Sequence, residues 1–225
     1  MSRDIWAVVP IKEREGAKQR LAGFLTPAQR QDLAAVMVGE VLDALAGATG
    51  LAGLMVVTLD PLATQLAERV GARVVTEGAR DGHTGSVLAG RAVLVREGRG
   101  GMLTLPGDIP CVTSAEVDAV LAAHLSAPAF TIVPAHDELG SNAVLCSPPG
   151  AVPLRFGDNS FFPHLDAARG QGIAPTVVRL PGIAMDVDHP ADLAALLRLP
   201  ESAGTRTRAF LEAMGAPEFL AARGF

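Results

Sequence analysis

Residues 4–11, DIWAVVPI, open a pattern that decides the fold together with the two segments that follow, KEREGAKQRLAGFL (12–25) and TPAQRQDLAAVMVGEVLDALAG (26–47). The first is a short apolar run interrupted by Pro10, the second is polar and basic, and the third repeats its apolar residues at helical spacing. Thr26 ahead of Pro27 predicts the helix start, because the N–H that proline lacks is one that the first turn leaves unpaired anyway. The unit is therefore strand, basic loop, helix. It recurs downstream. LMVVTL (54–59) and RVVTE (73–77) predict strands, PLATQLAERVG (61–71) and SVLAGRAVLVREG (86–98) predict helices closed by Gly71 and Gly98, and GMLTLPGDIP (101–110) predicts a strand running into a turn. Such alternation implies a mostly parallel sheet covered by helices on both faces.

Past this point the rhythm changes. AFTIVPA (129–135), NAVLCS (142–147), TVVRL (176–180) and IAMDVD (183–188) predict strands; SAEVDAVLAAHL (114–125), with a capping box from Thr113 and Glu116, FFPHLDAARGQG (161–172) and PADLAALLRL (190–199) predict helices. Residues 1–199 are expected to form one domain. Residues 200–225 are expected to form an amphipathic helical tail that packs on the domain or on a partner subunit.

A chain of 225 residues, 49% of them hydrophobic, suits a single domain with a sizeable core. Its net charge of −5 argues against a nucleic-acid partner bound through a general basic field, while leaving room for a local anion site. Two cysteines, Cys111 and Cys146, without C-x-x-C spacing, no charged-then-apolar leader and no apolar run near the roughly 20 residues of a membrane span predict a reduced, cytoplasmic protein away from membranes. A monomer or homodimer is expected.

Ligands of open α/β sheets bind beyond the carboxyl ends of the strands, so the loops there carry the chemistry. The first such loop offers Lys12, Lys18 and Arg20 as a polyphosphate clamp, with Arg14 expected to pair with its acidic neighbours. Asp108 sits in LPGDIP. Asp186 and Asp188 lie two apart in IAMDVD, which on a strand puts both carboxylates on one face, where they repel unless something positive intervenes. Three carboxylates at strand ends suit a hard divalent cation, most simply magnesium bridging phosphate oxygens. Read alone, Asp188 is equally a helix N-cap ahead of Pro190. Gly157 to Ser160 lead into a helix whose free first-turn N–H groups bind an anion, although Ser160 is as readily an ordinary cap. Gly140, Ser141 and Asn142 offer a second polar lip. Phe161, Phe162 and His124 read as core. No Walker motif, G-x-G-x-x-G or G-x-S-x-G is present, so a magnesium site with several anion pockets remains, which suits transfer between two phosphorylated molecules.

In order and spacing, VVPIKEREGAKQRLA (8–22), LPGDIP (105–110), GSNAVL (140–145), FGDNSFFPH (156–164) and GIAMDVDHPADL (182–193) resemble the guanylyltransferases that activate a phosphorylated three-carbon acid, whether 2-phospholactate, phosphoenolpyruvate or 3-phosphoglycerate, in biosynthesis of the deazaflavin coenzyme F-420. The resemblance implies the nucleotide-diphospho-sugar transferase fold, a Rossmann-like three-layer α/β/α sandwich. It implies that Lys12, Lys18 and Arg20 hold the phosphates of GTP, with Asp81, Gly82 and Thr84 in the nucleobase loop. It implies that Ser141, Asn142, Gly157 and Ser160 hold the acid's phosphate. Asp108, Asp186 and Asp188 would hold magnesium, which would then be what lets the two aspartates sit together, and Lys18 and Asp108 would be the catalytic residues. The nucleobase loop departs from the family: DGHTGSVL (81–88) carries His83, Thr84 and Gly85 where relatives usually read Leu-Asn-Ala. A molybdopterin guanylyl- or cytidylyltransferase of the same fold would share the basic loop and carboxylates but not FGDNS. A non-catalytic nucleotide-binding module would leave the three carboxylates without a purpose.

Overall fold

The apolar run that opens the chain forms β1 (Ile5–Pro10), and β2 (Gly53–Val57) and β4 (Gly101–Thr104) lie parallel on either side of it, pairing Val8 with Met55 and with Thr104. This is a computed structural model, and it describes residues 4–157 and 159–225. Residues 1–3 and Asp158, the central residue of FGDNS, lie outside them. Adding β3 (Arg73–Val75), β5 (Ala129–Pro134), β6 (Ser141–Ser147) and β7 (Pro175–Val177) gives a seven-stranded sheet in the order β3-β2-β1-β4-β6-β5-β7. All neighbours are parallel except β6, which runs antiparallel to both β4 and β5.

Alternation along the central strands supplies two cores. Ile5, Ala7 and Val9 face α1 (Pro27–Gly47), α2 (Pro61–Arg69) and α4 (Ser114–Ala123) in one cluster. Val8 and Met55 face α3 (Gly82–Arg96) and α5 (Phe161–Gly170) in the other. The result is the three-layer sandwich that the alternation predicts. The helix starts follow their sequence signals: Thr26 and Gln29 form a capping box, as do Thr113 and Glu116, and Asp60 accepts from the amides of Leu62 and Ala63.

One expectation needs adjusting. IAMDVD is not a strand. Pro181–Ala184 form a short helix, α6, after which the chain runs without a ladder and is tied to the Asp108 loop by one backbone hydrogen bond, Val187 N–H to Asp108 O at 3.1 Å. Its period-2 pattern is satisfied by packing instead, since Ile183 enters the first core while Met185 and Val187 enter a third cluster with α7 (Pro190–Arg198). NAVLCS is a strand as expected, and it runs antiparallel, so its beginning lies at the same edge as the ends of the parallel strands.

Residues 206–221 carry α8 (Arg206–Ala213) and α9 (Ala216–Ala221), which bury Leu211, Ala216 and Leu220 against Leu33 and Met37 of α1 and Leu193 and Leu196 of α7. Glu40 of α1 accepts from the Arg206 amide at 2.6 Å and from the Thr207 hydroxyl. Among the described residues, no helix is long and apolar enough to cross a membrane.

α3 approaches the sheet through Gly90, where an added Cβ would stand 2.6 Å from Val8 Cγ1 and 3.3 Å from Val57 Cγ2. Alanine is the better helix former, yet no room exists for its methyl between two fully buried valines. Gly90→Ala should therefore lower the melting temperature by several degrees, an overpacking cost of about 1–3 kcal/mol, measurable by thermal denaturation.

Candidate active site

A cleft of about 1000 Å³ opens at the carboxyl edge of the sheet, and every candidate site residue named from the sequence lines it. Its floor comes from the ends of β1 and β4. The reversal of β6 contributes Ser141 and Asn142, because an antiparallel strand begins where its parallel neighbours end.

The β1 loop forms one wall. Lys18 adopts a left-handed backbone conformation, φ 50° and ψ 44°, which costs a residue with a Cβ on the order of 1 kcal/mol and aims its side chain across the cleft. Its Nζ lies 2.6 Å from Asp108 Oδ2 and 2.9 Å from Asp188 Oδ1, with the side chain 10% exposed. Burial opposes the charge on Lys18, but the Asp108 and Asp188 carboxylates outweigh it and raise its pKa above the ordinary lysine value. Arg20 Nη1 reaches Asp188 Oδ2 at 3.4 Å from a more exposed position. Lys12 lines the cleft exposed to solvent. Arg14 pairs with Asp60 at 3.0 Å rather than with its sequence neighbours.

The carboxylates separate into two environments. Burial raises the Asp188 pKa, yet Lys18 and Arg20 pull it below the usual carboxylate value. The N-cap role considered for it falls elsewhere: His189 stands at the N-cap of α7, and Asp192 reaches back to accept from the Asp188 and His189 amides at 2.8 and 2.7 Å. Asp186 accepts from Asn142 Nδ2 at 3.0 Å and lies 3.6 Å from His136 Nδ1. Burial raises its pKa, the Asn142 hydrogen bond offsets part of that, and the Asp108 charge adds to the rise. The positive charge that the two aspartates require is therefore supplied by Lys18 and Arg20 at Asp188.

Asp108, Asp186 and Asp188 do not form a ready metal cage, for among the described residues no group of three His, Cys, Asp or Glu side chains is placed to hold an ion. They do fit the looser mode of magnesium, which takes one or two carboxylates together with phosphate oxygens and water.

The opposite wall is built by β6 and the start of α5. Ser160 Oγ lies 3.2 Å from Ser141 Oγ, which lies 2.9 Å from His164 Nδ1. Ser160 makes no capping bond, so its hydroxyl is not spent on the helix. Gly157, at φ 147°, lines the cleft beside it. Two predicted ligand contacts are used by the protein itself. Asn142 spends its Nδ2 hydrogens on Ile183 O, Ala184 O and Asp186, all within 3.1 Å, and so braces the segment carrying Asp186 instead of facing an anion. Thr84 donates to Phe156 O at 3.2 Å and accepts from Phe156 N–H at 2.9 Å, which ties α3 to the FGDNS loop. Asp81, the N-cap, and Gly82 begin α3 at the cleft, and a Cβ added at Gly85 would stand 2.3 Å from Asp81 Cβ. His83 packs edge-on against Phe156 with ring centroids 4.9 Å apart. His164 and Asp192 lie within the FGDNSFFPH and GIAMDVDHPADL stretches and His136 outside any motif, but the sequence assigns none of the three a role, because their partners meet them only when the chain folds.

A sequence model of the family described as "Guanylyl transferase CofC like" matches residues 5–218. The chain belongs to this family. A CofC-like guanylyl transferase is an enzyme of nucleotidyl transfer, and the relatives agree. This chain is 39% identical over 204 residues to a phosphoenolpyruvate guanylyltransferase of Rubrobacter xylanophilus, covering 91% of this chain and 97% of that one. It is 32% identical over 192 residues to a 3-phospho-D-glycerate guanylyltransferase of Colwellia psychrerythraea, covering 85% and 90%. Among solved structures it resembles one from Desulfovibrio desulfuricans G20 described as a nucleotide-diphospho-sugar transferase, with TM-score 0.76, 17% identity and 99% and 98% of the two chains covered. A 4-diphosphocytidyl-2C-methyl-D-erythritol synthase follows at TM-score 0.60, 16% identity and 87% and 97% coverage. At those identities the likeness establishes the fold.

The contrast between the two aspartates of this CofC-like chain is measurable in metal-free buffer. Asp186 carries a penalised charge, so Asp186→Asn should melt at or above the parent. Asp188 carries a stabilised one, so Asp188→Asn should melt below it. The sign of the pH dependence follows. The stabilisation from Asp188 is present above its unfolded value and vanishes as pH falls through its lowered folded value. The penalty at Asp186 is likewise absent once pH is below both of its values. Both differences should therefore shrink as pH is lowered from about 7 towards about 3. Equal melting shifts of the same sign would contradict the two-environment assignment.

Proposed function

We propose that the chain transfers GMP from GTP to the phosphate of a phosphorylated three-carbon acid, releasing pyrophosphate, as a magnesium-dependent cytoplasmic enzyme of coenzyme F-420 biosynthesis. The observation that carries this reading is one cleft with two chemically different anion walls: Lys12, Lys18 and Arg20 on one side, and the hydroxyls of Ser141 and Ser160 with Gly157 on the other. The volume, about 1000 Å³, suits two ligands meeting rather than one. The relatives named for phosphoenolpyruvate and 3-phospho-D-glycerate point to the acceptor class, since both acids carry a phosphate one carbon or two from a carboxylate. Free, buried Cys111 and Cys146 accord with a reducing compartment.

In this reading an oxygen of the acid's phosphate attacks the α-phosphorus of GTP in line. A new P–O bond forms, the bond from the α-phosphorus to the β-bridging oxygen breaks, and its electron pair leaves with pyrophosphate. The attacking monoester is already anionic near neutral pH, so the protein has little proton transfer to do and acts by positioning and charge neutralisation. Lys18 and Arg20 neutralise the nucleotide phosphates, Lys12 completes the basic wall, and the serine wall orients the acid. Asp108, with Asp186 or Asp188, would hold magnesium, which when bound supplies further neutralisation of phosphate charge. Thr84 acts through the Phe156 backbone and Asn142 through Asp186, each fixing a wall in place.

Pyrophosphate release, measured with each of the four nucleoside triphosphates against 2-phospholactate, phosphoenolpyruvate and 3-phosphoglycerate, should be greatest with GTP and should require one of the acids. No turnover in any combination would refute the proposal. Within the same assay, Ser160→Ala should raise the KM for the acid about tenfold and leave that for GTP nearly unchanged, the loss expected for one donor to a charged group. Lys18→Ala should weaken GTP instead. Because Ser160 caps nothing, its variant should melt with the parent, and a matched loss for both ligands in both variants would dissolve the two-wall assignment.

A further inference from the structure

Beneath the serine wall runs a chain of hydrogen bonds whose proton count is set by one backbone amide. The Arg155 N–H donates to His164 Nε2 at 3.1 Å. An amide N–H only donates, so Nε2 presents its lone pair and the neutral ring carries its hydrogen on Nδ1. The ring is neutral because burial pulls its pKa down to about 4. Its plane is held by Phe156, at 5.0 Å between centroids, and by Phe130, at 6.5 Å. Nδ1 is 2.9 Å from Ser141 Oγ and so donates to it, while Ser160 Oγ lies 3.2 Å from the same oxygen.

Two hydroxyl hydrogens then remain for one serine–serine contact. One occupies it. The other has no acceptor among the described residues, and because Ser141 and Ser160 are only 8% and 5% exposed, its outlet is the cleft they line. With the opposite tautomer the imidazole would take up one hydroxyl hydrogen and the serine–serine contact the other. The wall would then turn lone pairs towards the cleft and repel an anion.

We propose that His164 is a positioning residue: fixed by the Arg155 amide, it makes the Ser141–Ser160 pair a net hydrogen-bond donor, aimed at a phosphate oxygen of the acid substrate. The role rests on the proposed acid site and adds to it a reason why that wall selects an anion. It also gives FGDNSFFPH an internal logic, since the motif supplies both the serine and, four residues on, the histidine that governs its hydrogen.

The two ends of the imidazole can be tested separately. His164→Gln places an amide near Nε2, where its oxygen can still accept from Arg155, but offers no donor at the Nδ1 position. His164→Asn keeps a donor near Nδ1 and abandons the Arg155 amide. Calorimetric titration with phosphoenolpyruvate and GTP, with thermal melts alongside, should show a double dissociation. The glutamine variant should melt near the parent and bind the acid about tenfold more weakly with GTP unchanged. The asparagine variant should melt lower and bind the acid within about twofold of the parent. Equal acid losses in both, or none in the glutamine variant, would show that ring volume rather than proton placement matters. A parent that binds no phosphorylated acid would refute the proposed function itself. Independently of any variant, the imidazole nitrogen shifts of His164 in the parent should report a protonated Nδ1 and a bare Nε2; the reverse pattern overturns the assignment.

Discussion

Lys18 ties together three stretches that lie about ninety residues apart along the chain. Its ammonium bridges Asp108, in the turn after β4, and Asp188, in the irregular segment before α7. Burial opposes the charge on Lys18 and the two carboxylates outweigh it, while its ammonium helps to pull the Asp188 pKa below the usual carboxylate value. The left-handed backbone of Lys18 is the local cost of that arrangement. In the proposed reaction the same cation would meet phosphate, exchanging one set of anionic oxygens for another.

Around this centre the walls are braced by side chains whose hydrogen bonds are made to neighbouring segments, Asn142 and Thr84 donating to carbonyls and Asp192 accepting from an amide. Such commitments keep the number of free polar groups small, and a small number of fixed groups is what makes a site selective, because each has one direction in which it can be satisfied. Gly85 belongs to the same economy: in this backbone its missing Cβ leaves room beside Asp81.

The reversal of β6 is the topological counterpart. A wholly parallel sheet would deliver only strand ends to the cleft. An antiparallel strand inserted between β4 and β5 delivers a strand beginning, so Ser141 arrives opposite the first turn of α5 while its neighbours Val144 and Cys146 remain in the core. Fold and site thereby share one strand.

The amino-acid sequence by itself determined the layers and pointed to the loops that line the cleft. The period of apolar residues marked each strand and helix of the parallel half, proline and threonine marked the helix starts, and the order of five motifs named the family, because local backbone preferences and short-range spacing are written in contiguous residues. Only the tertiary structure decided the rest. IAMDVD carries a strand's alternation, yet it forms no ladder, since packing into two different cores satisfies the same pattern. Asp186 and Asp188 look alike in sequence, yet burial, with the Asp108 charge, raises the pKa of Asp186, while Lys18 and Arg20 pull that of Asp188 down against its own burial. Asn142 and Thr84 read as ligand contacts until the fold shows their hydrogens already spent. His164 closes FGDNSFFPH without a role readable there, and its meaning lies in the partners on either side of its ring. A side chain's role depends on which distant groups share its few hydrogen bonds and its local field, and those neighbours are assigned by folding rather than by position along the chain.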